Sequence, residues 1–199
     1  MVLVLTGIAV FAAVALGSVY SLTKEPIAAS KKAKQENAIK AVLPDYDRLE
    51  AEELITLVGF EAPFALYKAY KGDKFVGAAV QSYSGNGFSG EIKVMVGFDD
   101  KGAIVDYAVL EQKETPGLGT KMVDWFKTEK GSQNIQGKNP EKNNLTVRKD
   151  GGEVDAITAA TISSRAFLET IRYAYSAYKQ DYDASSGATQ KNDSLTVKQ

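Results

Sequence analysis

The 199-residue chain contains no cysteine and no histidine. Without cysteine there is no disulfide, no thiolate zinc or iron–sulfur ligand, no c-type haem attachment and no thiol nucleophile. Without histidine there is no Ser-His-Asp triad, no His-ligated haem and no His-based zinc hydrolysis. Any chemistry falls to carboxylates, lysines, hydroxyls, the backbone or a carried cofactor. A basic surplus is missing as well. The balance of 24 Lys+Arg against 25 Asp+Glu gives a formal charge of −1, which leaves no electrostatic footprint for nucleic acid. The one lysine-rich patch (Lys31, Lys32, Lys34, Lys40) is interrupted by Glu36. It reads as a solvated helix face before a lipid-headgroup or partner contact.

With 44% hydrophobic and 25% charged residues, the composition is that of a globular chain long enough for one core-bearing domain. Residues 2–22 carry no charge and are mostly Val, Leu, Ala, Ile and Phe. As a helix they would extend about 31 Å, close to the hydrocarbon thickness of a bilayer. No polar face interrupts them, so residues 1–22 are expected to be a single retained transmembrane anchor in contact with lipid. A cleaved signal peptide is the rival, weakened by the missing basic n-region and the length of the apolar run. Residues 23–60 read as a helical connector. Thr23 is placed to cap a new helix and Pro26 to sit in its first turn, with an end near Val42 or Leu43 before Pro44. The positive-inside rule would put the lysine-rich side in the cytoplasm, while the absence of cysteine is compatible with export. The residues leave sidedness open.

From about residue 64 the period changes to that of strands. Residues 65–70 and 75–82 flank Lys71-Gly72-Asp73, and residues 92–98 and 104–110 flank Asp99-Asp100-Lys101-Gly102, two hairpin signals. The acidic pair in the second turn lacks calcium-loop spacing, so no metal is expected. The glycine-rich stretch 83–90 is not a dinucleotide fingerprint, because the G-x-G-x-x-G spacing is absent and a strand follows it. Its Gly85, Gly87 and Gly90 are expected to adopt positive φ or permit close backbone approach. Residues 122–130, with Trp125 and Phe126, read as a short amphipathic helix and residues 132–144 as polar loop. A last helix spans about 162–179, where Leu168, Ile171, Tyr175 and Tyr178 recur at core spacing. Residues 61–182 are thus one α+β domain, an antiparallel sheet with flanking helices, and 183–199 a polar, disordered tail.

Two segments carry a sharper signal. In Glu114-Thr115-Pro116-Gly117-Leu118-Gly119, Pro116 and Gly117 suit a type II turn, and Gly119 allows close approach to a flat ligand. That turn lifts the apolar Leu118, which can pack on an aromatic ring system. In Asp155-Ala156-Ile157-Thr158-Ala159-Ala160-Thr161, followed by Ile162-Ser163-Ser164, hydroxyls and small residues gather where a helix begins. Unpaired first-turn N–H groups and the positive dipole end there make an anion site. Plain N-capping by Thr158 or Thr161 is the competing account.

With these segments and the N-terminal span, the chain resembles the FMN-binding domain family. Within it, the likeness is to G subunits of Rnf electron-transport complexes, relatives of the C subunits of sodium-pumping NADH:quinone reductases. The resemblance also rests on Leu22-Thr23-Lys24-Glu25-Pro26-Ile27 and on residues 91–97. The family's flavinylation motif is Asp-x-x-Ser/Thr-Gly-Ala-Thr/Ser. It implies covalent FMN on Thr161 through a phosphoester made by a flavin transferase that uses FAD, with Asp155 and Thr158 as recognition residues. Ala159 replaces the usual glycine, tolerable at negative φ. Asp183-Ala184-Ser185-Ser186-Gly187-Ala188-Thr189 fits the short motif better but lies in the tail, so Thr161 is the expected acceptor. The resemblance further implies an FMN site formed by Thr158, Ala159, Ala160, Thr161, Ile162 and Ser163 with Asp155, facing Glu114, Thr115, Gly117, Leu118 and Gly119. It implies an electron relay that is not catalytic alone, working with other membrane and redox subunits of a complex that couples ferredoxin and NAD chemistry to sodium or proton movement. The domain would face the extracytoplasmic side of the bacterial inner membrane. The C-type subunit, a flavin-free anchored binding subunit and a flavinylated reductase of a small acceptor are the alternatives.

Overall fold

A computed structural model of the protein describes residues 1–186, with side chains through Asp181. By internal contacts, Met1–Asn37 and Ala38–Gln199 form two compact units. The first helix, α1, runs Val2–Val42 and contains Pro26. Thr23 is therefore an interior residue and not a cap: its Oγ1 donates back to the carbonyls of Val19 at 2.8 Å and Tyr20 at 3.3 Å. Residues 1–34 are exposed, and none of the apolar window of α1 is buried. By length and composition the helix can cross a membrane.

In the second unit, six strands follow: β1 (Arg48–Leu49), β2 (Glu53–Ile55), β3 (Phe64–Lys71), β4 (Lys74–Ser84), β5 (Ile92–Asp99) and β6 (Ile104–Glu111). They form one antiparallel sheet in the order β1-β3-β4-β5-β6, with β2 also paired to β3. The two short edge strands lie in the segment read as helical connector, which is helix only through Val42. Arg48 and Leu49 pair with Tyr70 and Ala69, while Glu53–Ile55 pair with Leu66 to Phe64. Such two- and three-residue strands carry too few residues to show a period. Gly72, at φ +60, opens the two-residue hairpin between β3 and β4, as the first position of a II′ turn requires. Beyond β6 come a 3-10 turn (Gly119–Lys121), the one-turn α2 (Met122–Trp125), a second 3-10 turn (Arg148–Asp150) and the long α3 (Thr161–Ser186). The helix expected over 122–130 thus stops at Trp125. Phe126 and Ile135 are drawn into the core instead, and Ile135 N–H bonds the Phe126 carbonyl at 3.0 Å.

Both sheet faces are covered, which is why the strands read as runs of buried residues and not as a clean alternation. On one face Phe64, Leu66, Val80, Val94, Val96 and Tyr107 pack with Phe167, Leu168 and Ile171 of α3. Phe126 and Phe167 stack with ring centroids 4.5 Å apart. On the other, Ala38, Ile39, Val42 and Leu43 cover Ala65, Tyr67, Ala79, Met95 and Leu110. Gly97 makes that seat possible, because a Cβ there would lie 1.8 Å from the Val42 carbonyl oxygen. The domain is α+β, as the sequence indicates.

Candidate functional site

The segment from 112 to 160 joins β6 to α3, and its two ends meet. Thr115-Pro116-Gly117-Leu118 is a type II turn: Leu118 N–H bonds the Thr115 carbonyl at 3.1 Å and Gly117 sits at φ +74. Ile157-Thr158-Ala159-Ala160 repeats the arrangement, with Ala160 N–H on the Ile157 carbonyl at 3.0 Å and Ala159 at φ +60. Ala159 is the one non-glycine residue with positive φ among the described residues. The condition under which alanine would be tolerable there, negative φ, is not met. The third position of a type II turn demands the left-handed region, where a Cβ is strained.

Between the two turns lies a cleft of about 340 Å³, lined by Thr115, Leu118 and Gly119 on one side and residues 159–163 on the other, with Phe88 over it. Phe88, Leu118 and Ile162 are exposed there, Phe88 by 65%, leaving apolar surface for a flat ring. Phe88 escaped the sequence reading. Its signal was the one used for Leu118, an apolar side chain raised between glycines. Of the glycines around it, Gly90 has φ +122 and Gly87 is close-packed, whereas Gly85 meets neither expectation.

At the start of α3 the hydroxyls divide by task. Ser164 Oγ accepts the Ile157 N–H and donates to the Ala160 carbonyl, both at 2.9 Å. Ser163 Oγ donates to Glu114 Oε2 in a very short bond. Neither Thr158 nor Thr161 makes a side-chain hydrogen bond among the described residues, so the capping account does not hold for either. Thr161 is half-buried on the cleft wall at the first position of the helix, and Thr158 is exposed outside the lining.

Three other sequence-selected residues do not line the cleft either. Gly117 is in the turn, with its N–H on Thr120 Oγ1 at 3.0 Å. Glu114 is 4% exposed behind Gly119. Asp155 is spent on the scaffold. Its Oδ2 accepts the Ser132 N–H at 2.7 Å, Oδ1 pairs with Arg148 Nε at 3.1 Å, and its carbonyl accepts Trp125 Nε1–H at 3.0 Å. The competing tail motif runs beyond the described residues from Gly187, so Thr189 lies outside them. No cluster of metal-binding side chains occurs among the described residues.

The cleft combines an apolar rim, a glycine in its wall and an uncommitted hydroxyl at a helix N-terminus. The family model for the FMN-binding domain matches residues 87–176, from the Phe88 loop into α3. The protein is 36% identical to the G subunit of the ion-translocating oxidoreductase complex of Yersinia pestis, over 84% of this chain and 85% of that one. It is 33% identical to the corresponding G subunit of Vibrio vulnificus (strain YJ016), over 83% of each. The chain belongs to this family of complex G subunits.

Proposed function

We propose that the protein is a membrane-anchored electron-transfer subunit of an Rnf-type ion-translocating complex, holding FMN in this cleft through a phosphoester to Thr161. The observation that carries the reading is the unspent Thr161 hydroxyl on the cleft wall, beside two serines whose hydroxyls are already engaged. The cleft fits the group. Leu118, Ile162 and Phe88 offer an apolar seat for the ring. The start of α3 presents unpaired N–H groups and a positive dipole end to a phosphate. Bound flavin would supply the one-electron chemistry that this chain's own side chains lack. The chain's part is to orient the ring, wall it from water and hold the phosphate.

Attachment would use a flavin transferase and FAD. Thr161 Oγ1 bonds the FMN phosphorus, the pyrophosphate bond breaks, AMP leaves and the hydroxyl proton passes to the transferase. The lipid-embedded α1 would keep the domain at the inner membrane on its extracytoplasmic side, facing the redox subunits of the complex. Support for that sidedness comes from the family resemblance.

Peptide mass spectrometry of the full chain co-produced with a flavin transferase tests the assignment. The Thr161 peptide should gain one FMN less one water, Thr161→Val should abolish that gain, and Thr161→Ser should keep it. Flavin on the Thr189 peptide alone would overturn the assignment.

A further inference from the structure

Glu114 is a buried carboxylate with no ion-pair partner among the described residues. Its Oε1 accepts the Ser89 N–H at 3.0 Å and its Oε2 the Ser163 hydroxyl. Two glycines make its niche. A Cβ on Gly87 would lie 2.8 Å from Oε1, and one on Gly119 would lie 2.9 Å from Oε2 and 2.6 Å from Ser163 Oγ. Since Gly119 and Ser163 line the cleft, the carboxylate stands one residue's thickness behind its wall. The same group ties the Phe88 loop, the 115–118 turn and the start of α3 into one frame.

A neutral amide could hold the same frame, its oxygen accepting the Ser89 N–H and its NH₂ donating to Ser163 Oγ. Burying an unpaired carboxylate is the costlier solution, relieved here by the positive end of α3. The charge itself therefore calls for a role. Resting on the flavin reading above, we propose that Glu114 is a positioning residue whose negative charge, as well as its hydrogen bonds, acts on the cleft. It opposes arrival of an electron on the ring at short range and through little solvent. A ring held there gives up its electron more readily, which suits a relay.

The test uses the flavinylated full chain in detergent, with midpoint potentials from spectroelectrochemical titration. Glu114→Gln keeps the frame and removes the charge, so the potential should rise while thermal stability stays near wild type. Glu114→Ala removes both and should also lower stability, a loss that Gln rescues. Ser163→Ala keeps the charge and deletes one of its donors, so it should move the potential downward. Asp150→Asn, which removes an exposed carboxylate paired with Arg165, should leave the potential unchanged. An unchanged potential in Glu114→Gln, or equal shifts in Glu114→Gln and Asp150→Asn, would overturn the role of the charge. A wild-type chain with no flavin mass would overturn the flavin reading and this inference with it.

Discussion

Ala159 stands at φ +60 in a turn whose third position favours glycine, so Ala159→Gly should stabilise the protein. Holding an L-residue in the left-handed region costs about 1–2 kcal/mol. Removing the Cβ also frees the unfolded chain, which takes back about 0.4–1 kcal/mol. Ala159 is exposed, so its methyl contributes little buried area. The net gain is about 0.5–1 kcal/mol, or a Tm rise of about 1–4 °C for a unit of this size. Trp125 is the sole tryptophan, and its indole N–H is bonded to the Asp155 carbonyl four residues before the turn's strained position. Its fluorescence therefore reports thermal unfolding of the full chain in detergent from close by. Ala159→Val places a β-branched side chain at the same φ and should lower Tm by more than Gly raises it. A Tm for Ala159→Gly equal to or below wild type would refute the strained turn. With it would go the claim that this segment is held in shape against its own residue preference.

The parts of the fold that were legible in the sequence were those with local grammar. Gly72-Asp73 between two apolar runs specified the first hairpin, Pro116-Gly117 specified a type II turn, and the spacing of Leu168, Ile171, Tyr175 and Tyr178 exposed the core stripe of α3. Long-range partners were not legible. That Arg48–Leu49 and Glu53–Ile55 are strands depends on β3 offering an unpaired edge, a fact no window of sequence contains. Thr23 and Pro26 look like a helix start by propensity, yet α1 continues through both, with Pro26 in its interior giving up its N–H bond. The site shows the same division. Thr161 and Leu118, singled out by motif and turn chemistry, stand on the cleft wall, whereas Asp155 lies off it with its carboxylate on Ser132 and Arg148. The condition set on Ala159 failed because a turn type is decided by where the chain must go next, here into the first turn of α3.

Two further perturbations probe the frame around the cleft. Gly97→Ala would set a Cβ against the backbone of Val42, which no rotamer change can relieve. Lifting residues 38–43 from the sheet should cost about 2–4 kcal/mol, read as a lower urea midpoint, and a loss within error would show that the seat is not tight. Tyr107 is buried, its hydroxyl donating to the Met122 carbonyl at 2.7 Å, and burial pushes the phenol far above its ordinary value. Its pKa is thus raised on folding, so its contribution is fully present below the unfolded value of about 10 and is lost as pH climbs beyond it. In the unfolded chain the phenol ionises and draws the equilibrium toward unfolding, while in the folded chain it stays neutral. Tyr107→Phe should therefore cost about 1 kcal/mol at neutral pH, from the carbonyl left without its donor, yet lose less stability than wild type above about pH 10. Urea midpoints measured across that range decide it, because identical alkaline slopes in the two proteins would mean that Tyr107 is not the group being titrated.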